Sequence, residues 1–195
     1  MRLAVLSTLA AVLWAGAATA AELRDINVEH HKGRYTVHSV VWFDARVEQV
    51  FEVFRQWDLS TKFSSAIAES RDLAADEYGR PQYYVRNEGC LLFFCKSFVR
   101  QGYVELEVNR ELRAFADPEV SDFRLSHESW TFVAEAGGTV VSYHLRMEPK
   151  FWIPPGIGPY LIKRKFRNNG GDAIDRIEAI AQGIATDTVA TGRLN

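Results

Sequence analysis

Three histidines have the side-chain type that suits acid–base chemistry near neutral pH, because imidazole titrates there. His38, His127 and His144 each fall within a segment that we predict to be a β-strand. Two of them on neighbouring strands could form a general acid/base pair. A histidine in a strand is more often a surface or hydrogen-bonded structural residue. We therefore favour the structural interpretation.

Sequence motifs of nucleophilic, metal-dependent and phosphate-binding enzymes are absent. The chain has no Gly-x-Ser-x-Gly, no His-Glu-x-x-His, no glycine-rich phosphate loop and no Cys-x-x-Cys. The adjacent His30 and His31 lack further ligands at metal-binding spacing. We therefore predict no metal site and no cofactor, assign no catalytic residue, and favour a protein that is not an enzyme.

Cys90 and Cys95 are the two cysteines of the sequence. We expect them to form a disulfide if the protein is exported, because exported proteins meet oxidants. Five residues of straight strand would separate their Cα atoms by about 16 Å, whereas a disulfide tolerates less than about 7 Å. Pairing thus requires the chain to reverse within Leu91–Phe94. Because Leu-Leu-Phe-Phe is poor turn chemistry, two free buried thiols are the alternative.

Residues 1–20 have the features of a secretory signal peptide. Arg2 is the only charge, the segment from Leu3 to Trp14 is largely apolar, and Ala18-Thr19-Ala20 supplies the small residues of a cleavage site. We predict cleavage after Ala20 and secretion, with the periplasm as the expected compartment. An uncleaved membrane anchor is the alternative, but the flanks do not fit a stop-transfer segment.

Charge and composition limit the function and the number of domains. The chain has 23 Lys+Arg and 25 Asp+Glu, and its net charge of −2 would become −3 when Arg2 leaves with the leader. Such a balance does not favour nucleic-acid binding. We find neither repeats nor linkers, so we predict one domain at 34–183. It follows a polar lead-in at 21–33 and precedes a tail at 184–195 that we expect to be disordered.

Hydrophobic periodicity predicts the elements that would position a site. Alternating segments predict about seven strands, at 35–43, twice within 69–86, in the cysteine segment, and at 97–108, 123–133 and 139–147. After the first strand, Asp44 is the predicted cap of a short helix, and a second short helix begins near Ser60. The apolar face of the first helix consists of Val47, Val50, Phe51, Phe54 and Trp57.

A long helix within the segment from Phe151 to Ala181 is the element around which we expect the chain to be organised. Its apolar stripe consists of Ile162, Phe166, Ala173, Ile177 and Ile180. Such a stripe must be buried, and an antiparallel sheet is the partner that the other segments provide. The order of elements therefore predicts an α+β fold, with any site between the sheet and this helix.

Two segments carry a resemblance to a known family. The run Val40-Val41-Trp42-Phe43-Asp44-Ala45, with Val47, Val50 and Phe51, is similar to an opening strand and helix. Trp130 in Glu-Ser-Trp-Thr-Phe, followed by 138–143, is similar to a final hairpin. In this order they resemble the START-like (SRPBCC, helix-grip) superfamily over about Arg34 to Gly183. That superfamily includes polyketide cyclases and dehydratases, lipid-transfer domains and coenzyme-Q-binding proteins.

The resemblance implies a curved, seven-stranded antiparallel sheet that grips the last helix, with a hydrophobic cavity between them. It implies a cavity and not a reaction, because the superfamily has no universal catalytic motif. It also places the three strand histidines near one another. Asn168-Asn169-Gly170-Gly171 departs from the pattern, since two glycines within a helix cost about 2 kcal/mol relative to alanine. We favour a tolerated local change over a hinge.

Aromatic residues on the elements expected to line or close this cavity are the candidate ligand-binding residues, because apolar ligands are held this way. They are Phe63, Tyr84, Phe98, Trp130, Tyr143, Phe151, Trp152 and Phe166. For any one of them the alternative is simple core filling.

The function that these features predict is an exported binding or carrier protein for a hydrophobic small molecule such as a lipid, quinone or polyketide-like compound. One alternative is a cyclase- or dehydratase-type enzyme acting in the same cavity, which buried polar groups with shifted pKa would favour. Another is an envelope accessory protein that docks through the apolar Leu91–Phe94 hairpin. Peripheral membrane contact could also involve Lys163, Arg164, Lys165 and Arg167, although such a run of charges more often forms a solvated face of a helix.

Overall fold

One antiparallel sheet of eight strands forms the framework. The computed structural model describes residues 21–91, 94–135, 137–153, 160, 163–164 and 172–183, with the backbone alone at 90–91 and 94–96. The strands are β1 (Glu22–His31), β2 (Arg34–Phe43), β3 (Ile67–Leu73), β4 (Gln82–Leu91), β5 (Phe94–Glu107), β6 (Glu111–Ala116), β7 (Phe123–Glu135) and β8 (Gly138–Pro149). Their order in the sheet is β1-β2-β8-β7-β6-β5-β4-β3.

The helices lie on one side of this sheet, as the α+β prediction requires. Helix α1 (Val47–Arg55), a 3₁₀ turn (Trp57–Leu59) and helix α2 (Ser60–Phe63) connect β2 to β3. Residues 172–183 form a further helix, here called α3. No helix within the described ranges is long and apolar enough to cross a membrane.

The hydrophobic core lies between the sheet and these helices, and we call the sheet surface that faces it the inner face. Every second residue of β2 points there, including Tyr35, Val37 and Phe43, as the alternation in the sequence predicts. Phe43 belongs to the core cluster, whose other buried members are Ala45, Val50, Phe51, Val53, Trp57, Tyr83, Val85, Val104, Leu112, Ala114, Phe132, Val141, Ile174, Ile177 and Ala181. The predicted α3 residues Ala173 and Ile180 flank this face and are only partly buried.

The sheet has one strand more than predicted, because two observed strands have no predicted counterpart and the strand predicted for the cysteine segment is divided between β4 and β5. The polar lead-in forms β1, which pairs with β2 and leaves most of its side chains exposed. The short strand β6 also lacks a counterpart among the predicted strands. Gly102 lies on the neighbouring strand β5, and a Cβ atom added to it would lie 1.9 Å from the Phe115 carbonyl oxygen of β6. Only glycine therefore permits this close approach of β5 and β6.

Several predicted features lie outside the described residues. They are the leader at 1–20, the helix positions Ile162 and Phe166, the Asn168–Gly171 run, the basic residues Lys165 and Arg167, and the tail at 184–195.

The predicted cap at Asp44 is wrong. Helix α1 begins after Arg46, whose backbone N–H donates to Gln49 Oε1 at 3.0 Å. The Asp44 backbone instead contacts α3, because its N–H donates to Glu178 Oε2 at 2.7 Å and its carbonyl accepts from Gln182 Nε2 at 2.9 Å. The junction of β2 and α1 is thus the point where the last helix is attached.

The chain reverses at the cysteine segment. In the β4–β5 hairpin, Leu91 lies opposite Phe94 and Cys90 lies opposite Cys95. The cysteine side chains lie outside the described part of the structure, so their disulfide stays a prediction. Directly opposed residues on antiparallel strands have Cα atoms about 4.5–5.5 Å apart, which is within the range of a disulfide.

We expect thiol labelling of the unreduced, denatured exported protein to find no free cysteine, because the register places Cys90 and Cys95 opposite each other. The same sample labelled after reduction is the control and should take up two labels per chain. Quantitative labelling without reduction would contradict the disulfide.

Candidate functional site

A buried charge pair lies on the inner face near the middle of the sheet. Arg100 on β5 and Glu128 on β7 have side chains that are only 14% and 4% exposed. Arg100 Nη1 donates to Glu128 Oε1 across the intervening strand. Ala114 and Ala116 are buried on that strand, β6, and their short side chains leave room for the long Arg100 side chain.

Asn87 and Tyr143 contact this charge pair. We call the four residues Asn87, Arg100, Glu128 and Tyr143 the polar cluster. Arg100 Nη2 donates to Asn87 Oδ1 at 3.3 Å, and the Tyr143 hydroxyl donates to Glu128 Oε1 at 2.7 Å. Charge-assisted hydrogen bonds of this kind are stronger than neutral ones. The cluster therefore fixes side chains from four strands in one arrangement.

Not every polar atom around the cluster is satisfied. Within the described part of the chain, Glu128 Oε2, Arg100 Nε, and the hydroxyls of Tyr83 and Ser126 are buried and have no hydrogen-bond partner. Leaving such a group unpaired typically costs about 1–3 kcal/mol. A group of unpaired donors and an acceptor at one place is therefore a candidate binding site for the polar part of a ligand.

The charges of the polar cluster affect the pKa values of nearby groups and so determine which of them can donate hydrogen bonds. Burial is the largest single influence on Arg100 and lowers its pKa, but the charge of Glu128, together with smaller contributions from Tyr143, Tyr83 and the hydrogen bond to Glu128, outweighs burial, so the pKa of Arg100 lies above its ordinary value. Burial, and then the Glu128 charge, also raise the pKa of Tyr83 and of Tyr143. Both hydroxyls are therefore protonated at neutral pH and can donate hydrogen bonds.

A row of four aromatic rings runs beside the polar cluster. Tyr83 stacks on Trp57 with ring centroids 4.3 Å apart, Trp57 contacts Trp130 at 6.2 Å, and Trp130 contacts Tyr143 at 5.2 Å. Tyr143 belongs to both groups. The inner face thus places an aromatic surface directly next to a small set of polar groups, which is the composition typical of sites for mostly apolar ligands.

Of the eight candidate ligand-binding residues, Trp130 and Tyr143 lie in this row. Phe63 is partly buried against the core. Phe98 and Phe151 form a second aromatic group with Phe123, with centroids 5.5–5.7 Å apart.

The remaining candidates lie elsewhere. Tyr84 lies on the opposite, outer face, where the Arg71 guanidinium sits 4.3 Å from its ring centroid. Strand alternation places the preceding residue, Tyr83, on the inner face instead. Trp152 is 69% exposed, and Phe166 lies outside the described residues.

A cleft of about 330 Å³ opens at the end of the sheet where β8 finishes. Phe151, Trp152 and Ile153, which directly follow β8, are among the residues that line it. The other lining residues are His30, Lys32, Gly33, Tyr35, Arg124, Glu148 and Pro149.

The strand histidines do not join the site. His38 and His144 lie opposite each other on β2 and β8 with ring centroids 4.4 Å apart, and His127 contacts Phe115 on the outer face. Burial, followed by His38, lowers the pKa of His144. In the part of the chain that the structure describes, no group of three His, Cys, Asp or Glu side chains could hold a metal ion.

The sequence contained a signal for the polar cluster that aromatic content alone does not reveal. Arg100 has the same strand parity as Phe98 and Val104, and Glu128 has the same parity as Trp130 and Phe132. A charged residue at an inward position of a strand is costly unless it is paired. Two such residues on different strands therefore point to a buried pair.

Comparisons with known proteins identify the fold. A scan of protein-family models gives no match, and neither does a search of curated proteins. Solved structures do match. A START superfamily protein from Mycobacterium smegmatis aligns with a TM-score of 0.60 and 18% identity, over 74% of this chain and 98% of that chain.

Two further structures are similar. A STAR-related lipid transfer protein from Xanthomonas axonopodis has a TM-score of 0.58 and 17% identity, over 84% of this chain and 99% of that chain. An aromatase/cyclase from Streptomyces sp. R1128 has a TM-score of 0.56 and 11% identity, over 76% and 94% of the two chains. The chain therefore has a START-like helix-grip fold, which confirms the resemblance at the level of fold.

We expect Glu128→Gln to lower the free energy of unfolding by about 3 kcal/mol, because it leaves the Arg100 charge buried without its partner. Glu105→Gln is the matched control, since Glu105 pairs with Arg113 at 3.1 Å but both are about 40% exposed. That change should cost less than about 1 kcal/mol. Urea unfolding measures both, and equal effects would contradict a buried pair.

Proposed function

We propose that the protein binds a hydrophobic small molecule between the inner face of the sheet and its C-terminal segment. The apolar part of the ligand lies against the row formed by Tyr83, Trp57, Trp130 and Tyr143. An oxygen-bearing end of the ligand meets the polar cluster. The ligand class is a lipid, quinone or polyketide-like molecule with at least one hydroxyl, carbonyl or carboxyl group.

The observation that carries this proposal is the set of unpaired atoms at the buried pair of Arg100 and Glu128. Arg100 Nε and the Tyr83 hydroxyl can donate to a ligand oxygen, whereas Glu128 Oε2 can accept from a ligand hydroxyl. An ion pair with only a structural role gains no stability from polar atoms that lack a hydrogen-bond partner.

The fold relatives support a hydrophobic ligand. One of the similar structures is a STAR-related lipid transfer protein and another is an aromatase/cyclase. Both names describe proteins that handle apolar or aromatic molecules. Sequence identities of 11–18% are too low to assign the ligand of either protein to this chain. The ligand class proposed here therefore rests on the side chains of this chain.

The compartment is part of the proposal. The leader-like segment at 1–20 supports export, with removal of the leader after Ala20 and function in the periplasm. A carrier in that compartment would keep an apolar molecule out of water between two membranes.

An enzyme of the cyclase or dehydratase type is the second candidate, and the polar cluster favours it over an entirely apolar lining. In a dehydration, Glu128 Oε2 would take a proton from one substrate carbon as a C=C bond forms, and the hydroxyl group on the neighbouring carbon would leave as water after protonation by a tyrosine hydroxyl. The raised pKa of Tyr83 and of Tyr143 keeps both hydroxyls protonated at neutral pH but makes them weaker acids, which disfavours this proton transfer. Binding without reaction needs none of these proton transfers and is the simpler proposal.

Native mass spectrometry of protein isolated gently from the exported fraction tests the proposal. We expect a discrete additional mass that denaturation releases and that has a long apolar part with one oxygen-bearing end. The same protein after organic extraction is the control. A protein that carries no mass and binds no member of a lipid and quinone panel would contradict the carrier.

We also expect Trp130→Ala to weaken binding of a fluorescent apolar probe about tenfold or more, because it removes a large part of the aromatic row. Trp42→Ala is the control, since Trp42 lies on the outer face of β2, where Arg24 lies 6.0 Å from its ring centroid. Circular dichroism would verify that both variants fold. Unchanged binding in Trp130→Ala would remove this residue from the site.

A further inference from the structure

Glu178 on helix α3 is a buried carboxylate that holds two distant parts of the chain. It is 8% exposed. Its Oε2 accepts from the Asp44 backbone N–H at 2.7 Å, and its Oε1 accepts from the Ala21 backbone nitrogen at 3.2 Å. Ala21 also packs against the hydrophobic core. The carboxylate thus joins the start of the folded domain to the junction of β2 and α1.

Ala21 is the residue at which the sequence predicts the mature chain to begin. In the full chain its nitrogen belongs to the peptide bond with Ala20 and carries one proton. Cleavage adds water across that bond, so the Ala20 carbonyl becomes a carboxylate and the Ala21 nitrogen becomes an ammonium group at neutral pH. The same atom then lies beside Glu178 as a cation with three donors.

We propose that Glu178 is the binding site for the α-ammonium group of the mature chain, so that removal of the leader strengthens the attachment of α3 to the sheet. This inference rests on the proposed cleavage after Ala20. In the described part of the chain Glu178 accepts from two backbone amides, and a buried carboxylate is more stable when a cation lies beside it. An ammonium group compensates that charge and converts a neutral hydrogen bond into a stronger, charge-assisted one.

The location gives this contact a structural consequence. Helix α3 covers the inner face through Ile174, Ile177 and Ala181, and the neighbouring Gln182 also bonds to Asp44. Tightening Glu178 onto Ala21 therefore stabilises the attachment of α3 to the sheet. A precursor that still carries its leader would hold α3 less firmly than the mature protein.

Chains of defined N terminus test the proposal. One chain begins at Ala21, released from a fusion that leaves no extra residue, and the other begins at Ala20, which restores an amide at Ala21. Each is made with Glu178, with Glu178→Gln and with Asp175→Asn, an exposed carboxylate change on the same helix. The readouts are the unfolding equilibrium constant in urea and hydrogen exchange of amides in 172–183.

We expect the extra Ala20 to raise the unfolding constant about five- to tenfold when Glu178 is present. The change should be less than twofold with Glu178→Gln and should persist with Asp175→Asn. Exchange in 172–183 should accelerate in parallel. Nα-acetylation of the chain that begins at Ala21 removes the charge without altering Glu178, and it should cause the same loss even if Glu178→Gln does not fold.

Three results would overturn the inference, and they differ from failure of the ligand proposal. An equal response to Ala20 in the Glu178 and Glu178→Gln chains would exclude the ammonium contact, and so would the lack of a response to acetylation. An intact mass showing that the exported protein begins elsewhere would remove its premise. None of these results depends on whether a ligand is bound.

Discussion

The buried pair of Arg100 and Glu128 is the interaction on which the inner face of the sheet depends. Two charges held away from water are tolerated when they lie close to each other and hydrogen-bond to their neighbours. The small residues of β6 provide the space, and Asn87 and Tyr143 supply two of the partners. Within the described part of the chain, Glu128 Oε2 and Arg100 Nε stay unpaired, and the proposal of a ligand rests on these atoms.

Much of the fold follows from the sequence because burial follows periodicity. Alternation in β2 and the three- and four-residue spacing in α1 each identify a face, and the structure buries those faces. The prediction of secondary structure fails where the role of a segment in the folded protein differs from the role that its local composition indicates. The polar segment at 21–33 has little apolar content, yet it gains ten residues of strand by pairing with the edge of β2. Asp44 has ideal capping chemistry, but its backbone is used by α3 instead.

The site was harder to predict than the fold, for a reason that the side chains show. Aromatic content points to a binding surface, but it does not say which face of a strand a residue occupies. The adjacent Tyr83 and Tyr84 have the same chemistry, and one residue of register separates the inner face from the outer face. Arg100 and Glu128 look like surface residues when read one at a time. Their role depends on a contact across β6 between two residues that are far apart in the sequence.

The strand order also determines when this molecule can fold. Strand β2 pairs with β8, so His38 lies beside His144 although most of the domain separates them in the chain. Contacts between such distant residues form slowly, because a long loop must be closed before they are gained. The hairpins β1–β2, β4–β5 and β7–β8 can each form early, but the β1–β2 hairpin can join the rest of the sheet only after synthesis has produced β8. A chain with this topology can complete its sheet only when its last strand has been synthesised, because β8 is the strand that links the β1–β2 hairpin to the other strands.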